Sequence, residues 1–169
     1  HKWIEVFPAP LASVVIPPPA AVLNAGGPVP ALGAEAPAAP QERSETPWGV
    51  ARLHAPQIWS RATGAGVKVG IIDTGVDGTH PDLAANYAGG YNAVEPGSEP
   101  SDDHGHGTHV AGTIAAAPNG KGVIGVAPRA RIYGIKVLNK EGGGTDAMVV
   151  SGIAWCVENG MQVVNMSLG

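Results

Sequence analysis

The two residues best placed in this chain to do chemistry are an aspartate and a histidine, each set where a turn meets regular structure. Asp73 closes the apolar run Val67-Lys68-Val69-Gly70-Ile71-Ile72 and opens the turn Asp73-Thr74-Gly75. His106 follows the approach Asp102-Asp103-His104-Gly105 and begins a run of small residues that includes Gly107, Thr108, His109 and Gly112. A carboxylate at the end of a buried strand is desolvated, and it persists only beside hydrogen-bond donors or an opposite charge. An imidazole is a suitable partner, because the carboxylate fixes its tautomer and stabilises the imidazolium formed during proton transfer. With Asp before His in the chain, a hydrolase of this kind needs a nucleophilic serine in a third motif further on. No such motif occurs up to Gly169.

The elements that must position these residues alternate. Val67–Ile72 reads as a buried strand ending in a sharp turn. Gly107–Ala117 carries small and apolar residues at helical spacing and is ended by Pro118-Asn119-Gly120. A second strand covers Arg131–Leu138. Thr145 can cap a helix running through Ala147, Val150, Ile153 and Val157 to Asn159-Gly160. A third strand covers Gln162–Ser167. This order predicts an α/β fold, a three-layer α/β/α arrangement on a parallel sheet with right-handed crossovers. Ligands of such sheets sit beyond the carboxyl ends of the strands, where Asp73 stands.

Composition bounds the rest. Ten of the sixteen prolines fall at or before Pro47, in runs such as Ile16-Pro17-Pro18-Pro19. Residues 1–46 are therefore read as an extension, a linker over 8–46 or the remnant of a pro-segment with Trp3-Ile4-Glu5-Val6 as its last strand. Residues 47–169 are left as the folded domain. A net charge of −4 with no Lys/Arg cluster argues against nucleic acid as a partner. No apolar run approaches membrane-spanning length. Cys156 is the single cysteine and lies in an apolar helical stretch, so it reads as a buried, inert thiol.

From Thr46 onward the chain resembles the subtilisin-like serine peptidases. Thr46–Trp59 is similar to the family's N-terminal arm. Ile72-Asp73-Thr74-Gly75-Val76-Asp77 with His80-Pro81-Asp82-Leu83 resembles its aspartate motif, and Asp103–Thr113 its histidine motif. Gly125-Val126-Ala127-Pro128, Lys136-Val137-Leu138 and Val164–Gly169 match further landmarks in order. The resemblance implies a serine endopeptidase in which Asp73 is the triad carboxylate and His106 the general base. His80 and His109 match structural histidines, the latter a buried one.

The same resemblance places the substrate, an extended polypeptide. Gly142-Gly143-Gly144 and Ser167-Leu168-Gly169 would flank its backbone as antiparallel neighbours, a form of β-augmentation. Leu138 and Leu168 would line apolar subsites, with core packing an equal alternative for Leu138. His104 and Asp102 would border the pocket for the residue second from the cut.

It also implies structural calcium, with Asp82 and the 117–123 loop (Ala117, Asn119, Lys121 and Val123) as oxygen donors of the type calcium takes. Lys121 would join only through its carbonyl. A competing metal reading takes His104, His106 and His109 with Asp102 and Asp103 as a zinc or di-metal hydrolase cluster.

The family's nucleophile lies in a Gly-Thr-Ser-x-Ala segment, and none of the seven serines of this chain stands in one. Ser167 matches a substrate-binding position. The expectation is thus the N-terminal part of a truncated catalytic domain, inactive alone, with the C-terminal remainder as its partner. The resemblance implies a secreted, extracellular protein. A non-catalytic peptide-binding fragment or pseudo-peptidase is the alternative.

Overall fold

Strand β1 (Lys68–Asp73) lies inside a four-stranded parallel sheet, with β3 (Arg131–Lys136) on one side and β4 (Val163–Met166) on the other. The fourth strand, β2 (Tyr87–Asn92), adds to the far edge of β3. The computed structural model describes residues 44–168. Everything expected of residues 1–43, and of Gly169, lies outside them.

The sheet forms where it does because β1 is apolar on both faces. Ile71 packs toward Ala111, Ala115 and Ile132, whereas Ile72 packs toward Ile135, Val137 and Cys156. Both isoleucines are fully buried, each worth about 1.5–3 kcal/mol of transfer free energy. Alternate residues of one strand point to opposite faces. Helix α2 (His106–Ala115) therefore covers one face, and α3 (Asp146–Glu158) the other. This is the three-layer α/β/α arrangement.

The ends of the helices follow the sequence closely. Thr145 caps α3 by accepting from Met148 N–H at 3.3 Å, and Asn159-Gly160 ends it, Gly160 taking φ +66°. Trp155 anchors α3 over the sheet, stacking on Tyr91 at 6.2 Å between ring centroids. Cys156 is buried against β1, and burial pushes its thiol up to about 11.

The strand β2 was not expected from the sequence. Its Tyr-Ala-Gly-Gly-Tyr-Asn composition carries weak strand propensity. Contact with β3 decides its conformation: Gly90 pairs with Gly134, whose carbonyl leaves no room for a β-carbon at position 90. Short helical turns, α1 (Trp48–Arg52) and a 3₁₀ turn at Ala55–Gln57, occupy the arm. The folded unit reaches back at least to Ser44. Glu45 pairs with Val123, and Ser44 Oγ donates to Lys121 O at 2.9 Å.

Candidate active site

The carboxyl end of β1 brings the two sequence-predicted residues together. His106 Nδ1 lies 2.7 Å from Asp73 Oδ1 and 2.9 Å from Oδ2. Thr74 N–H donates to Asp73 Oδ1 at 2.7 Å. Asp73 is fully buried, while the His106 side chain is 45% exposed. A buried carboxylate bonded in this way holds one ring nitrogen as N–H and leaves Nε2 as the basic atom.

Two features of sequence let α2 start at this point. Gly107 replaces a side chain where a β-carbon would lie 3.1 Å from Asp73 Cβ and overlap the Gly75 carbonyl oxygen. Its N–H donates to Thr74 Oγ1 at 3.0 Å. The turn after β1 is then stitched to the helix by Asp77 N–H donating to Thr108 Oγ1 at 2.9 Å.

Asp102 is the centre of that stitching. Its Oδ1 accepts from Thr74 Oγ1 (2.8 Å), Gly105 N–H (2.9 Å) and His104 N–H (3.0 Å), and its Oδ2 from Thr108 N–H (2.9 Å). Burial pulls the Asp102 carboxyl upward, but hydrogen bonds from the Thr108 hydroxyl and from the N–H groups of Gly105, Thr108 and His104 outweigh it and hold its pKa at about 2. Asp102 thus organises the start of the helix, a role the sequence reading did not give it, satisfying orphan N–H groups next to the positive end of the helix dipole.

Lys136 was also missed as a site residue. It sits opposite Asp73 in the β1/β3 register with its side chain buried. Its ammonium donates to Thr74 O at 2.7 Å and to Asp103 Oδ1 at 2.6 Å. A lysine at the end of an otherwise apolar strand was the signal for it, since a buried ammonium requires partners.

The expected substrate-binding segments leave the sheet on either side of Asp73. Leu138 follows β3, and Ser167 and Leu168 follow β4. Leu138 and Leu168 are half-buried and pack against the Ile72–Ile135 cluster. Gly142, Gly143 and Gly144 lie in a loop closed on Asn139. Its Oδ1 accepts from Gly143 N–H at 2.9 Å, and its own N–H donates to Gly143 O at 2.8 Å. The His104 ring stands 6.4 Å from that of His106, centroid to centroid, and near Gly142.

His109 departs from expectation: it is exposed among the described residues, on the face of α2 turned toward Trp48 and His80. Among the described residues no three His, Cys, Asp or Glu side chains converge as metal ligands, so His104, His106 and His109 do not gather into a cluster.

The Asp82 region does gather. The Asp82 carboxylate, 5% exposed, accepts from Asn119 Nδ2 at 2.9 Å and from Val123 N–H at 3.0 Å, and Ala117 N–H donates to Asp82 O at 2.7 Å. Burial works against the charged carboxylate. Hydrogen bonds from Val123 and Asn119, with the charges of His80 and Lys121, hold its pKa below the ordinary value. The donors form an oxygen-rich set of one carboxylate, one amide and loop carbonyls, chemically suited to calcium. Most of these oxygens are already bonded: Asn119 Oδ1 accepts from Lys121 N–H, and Lys121 O from Ser44 Oγ.

Comparison with known proteins agrees with this geometry. The family model described as the subtilase family matches residues 64–169. Subtilisin Savinase of Lederbergia lenta is 50% identical over 124 residues, 73% of this chain and 45% of the relative. An intracellular serine protease of Paenibacillus polymyxa is 47% identical over 133 residues, 76% of this chain and 41% of the relative. Subtilisin E of Bacillus subtilis is 48% identical over 125 residues, 73% of this chain and 32% of the relative. The chain thus spans less than half the length of these relatives. A family match over more than half the chain, with an Asp–His couple at the sheet end, shows that the chain belongs to the subtilase family.

Proposed function

We propose that these residues supply the carboxylate and the general base of a serine endopeptidase acting on extended polypeptide. The observation that carries this reading is the bond from His106 Nδ1 to both oxygens of a fully buried Asp73. With Nδ1 committed, Nε2 takes the proton of a serine hydroxyl as it attacks the peptide carbonyl, then returns it to the leaving amine. Asp73 stays ionised, orients the ring and stabilises the imidazolium.

The nucleophilic serine and the oxyanion-hole donor belong, in this proposal, to the part of the relatives that these residues do not span. Among the described residues no serine hydroxyl is hydrogen-bonded to His106; Ser167 Oγ donates to Asn165 Oδ1 instead. The 169 residues alone are accordingly proposed to be inactive, since an acyl-enzyme needs the serine. The C-terminal remainder of the domain is the proposed partner.

His104, Leu138, Gly142–Gly144 and Ser167–Leu168 are proposed as the walls of the substrate groove. Backbone N–H and C=O groups of the two segments would pair with the substrate backbone. Support comes from their exit on either side of Asp73 at the same end of the sheet.

Calcium is proposed as a structural ion held by the Asp82 carboxylate, the Asn119 side chain and the carbonyls of Ala117, Lys121 and Val123. When bound it would supply charge neutralisation for Asp82 and rigidity for the loop, and no catalytic chemistry. Turning the Asn119 amide would present its oxygen in place of its nitrogen.

No helix among the described residues is long and apolar enough to cross a membrane. The extracellular location implied by the resemblance belongs to the same proposal, with fractionation of the producing culture as its check. Retention in the cells would place this protein beside the relative named intracellular.

The test is hydrolysis of unfolded casein by the full-length protein that carries these residues. Turnover abolished by His106→Ala supports the reading. Peptide binding without turnover in the intact protein would favour a non-catalytic peptide-binding role.

A further inference from the structure

Lys136 and Asp103 take no direct part in the proton transfer just described, yet they sit beside it. Lys136 ends β3 opposite Asp73, with only 6% of its side chain exposed. Its ammonium grips two separate segments: Thr74 O, on the residue after Asp73, and Asp103 Oδ1, three residues before His106. A buried ammonium is costly unless paired, so breaking either contact leaves a strong demand for another partner. The Asp103 side chain is 52% exposed and reaches inward to meet it. The neighbouring Asp102 holds the same loop from its other side, through Thr74 and Thr108. Two adjacent aspartates therefore fasten one loop to two different strands or turns.

We propose that Lys136 and Asp103 form a positioning pair for the Asp73–His106 couple, locking the end of β3 to the loop that delivers His106. The inference rests on the reading of that couple as the general-base unit. The pair acts in two ways. Mechanically, it fixes the Asp102–Gly105 loop, which carries His104 and sets where α2 begins. Electrostatically, it joins one positive and one negative charge where the end of β3 meets the loop that leads to His106, so that each offsets the other. The remaining charged or titratable groups around His106 are Asp73 on β1, Asp102 and His104 in the loop, and His109 one turn along α2. Lys140 and Glu141, in the loop after β3, pair with one another at 3.6 Å.

The sign of each change follows. Lys136→Met keeps the apolar stem and removes a positive charge, which makes a protonated imidazole easier to hold. Asp103→Asn keeps the shape and removes a negative charge, which makes it harder to hold.

The experiment is a histidine-ring NMR titration of the full-length protein in four forms: wild type, K136M, D103N and the double variant. The pH profile of kcat/KM is measured in parallel. The His106 titration curve and the acid limb of the rate profile are expected to move to higher pH in K136M and to lower pH in D103N. Each displacement should be about half a pH unit, with the double variant returning close to wild type. K136M should also lose about tenfold in kcat through the freed loop.

Single-variant curves that superimpose on wild type, with thermal stability alone reduced, would make the pair a structural brace and overturn the proposal. Displacements of the same sign in both variants would overturn it as well. If K136M does not fold, D103N, altered at a half-exposed carboxylate, decides the question by itself. If wild type hydrolyses no peptide while the ring titrations move as expected, the peptidase reading fails and the positioning pair stands.

Discussion

Gly107 and Gly75 meet with no space for a side chain between them: a β-carbon on Gly107 would overlap the Gly75 carbonyl oxygen. Because the obstacle is backbone in the turn after Asp73, it cannot swing aside as a flexible side chain would. This contact sets how closely the first turn of α2 approaches the strand end, and hence how His106 reaches Asp73.

Gly107→Ala is therefore expected to harm both stability and activity. Alanine favours a helix over glycine by about 1 kcal/mol. Overpacking against fixed backbone costs about 1–3 kcal/mol, so the clash outweighs the propensity gain. Thermal unfolding should show a Tm lower by several degrees, and kcat should fall at least tenfold because the ring is displaced. A more stable, fully active variant would show that the helix start is not set by this contact.

Asp102→Asn is expected to weaken the fold in a pH-dependent way. The wild-type carboxyl has a folded pKa of about 2, below its ordinary value of 3.8. A depressed carboxylate contributes stability that is fully present above its ordinary value and is lost as pH falls through the folded one. The group is partly exposed, so the contribution after screening is about 1–2 kcal/mol. Urea unfolding should show that deficit for the variant at neutral pH. The gap to wild type should narrow as pH falls from about 4 toward about 2. A gap that stays constant with pH would contradict the assignment.

Calcium at Asp82 is tested by its effect on unfolding. Added calcium at about a hundred times its Kd should stabilise the protein by about 2.7 kcal/mol, and chelator should reverse this. In Asp82→Asn the calcium-dependent rise in Tm should disappear. An unchanged wild-type Tm would mean that Asn119 and Val123 satisfy the carboxylate without a metal.

Much of this was legible in the sequence because its signals were local and strong. Val69, Ile71 and Ile72 announce a strand buried on both faces, and Thr145 with Asn159-Gly160 brackets a helix. The couple Asp73–His106 was legible because a carboxylate at a strand end calls for a partner and because the residues around both resemble a family's aspartate and histidine motifs. What escaped depends on contacts between distant segments. Strand β2 exists because Gly90 fits over Gly134, a fact no period within Tyr87–Asn92 records. The part Asp102 plays at the helix start escaped because its donors, Thr74, Gly105 and Thr108, converge only once the turn and the helix are folded together. The burial expected for His109 does not appear on its face of α2 among the described residues.

The most direct test of the Asp73–His106 couple as a general-base unit is the rate of covalent labelling by a serine-directed fluorophosphonate. It is measured on the full-length protein as wild type, His106→Ala and Asp73→Asn. The account predicts stoichiometric labelling of wild type, slowed by about three to four orders of magnitude in either variant. Labelling of His106→Ala at the wild-type rate would contradict it.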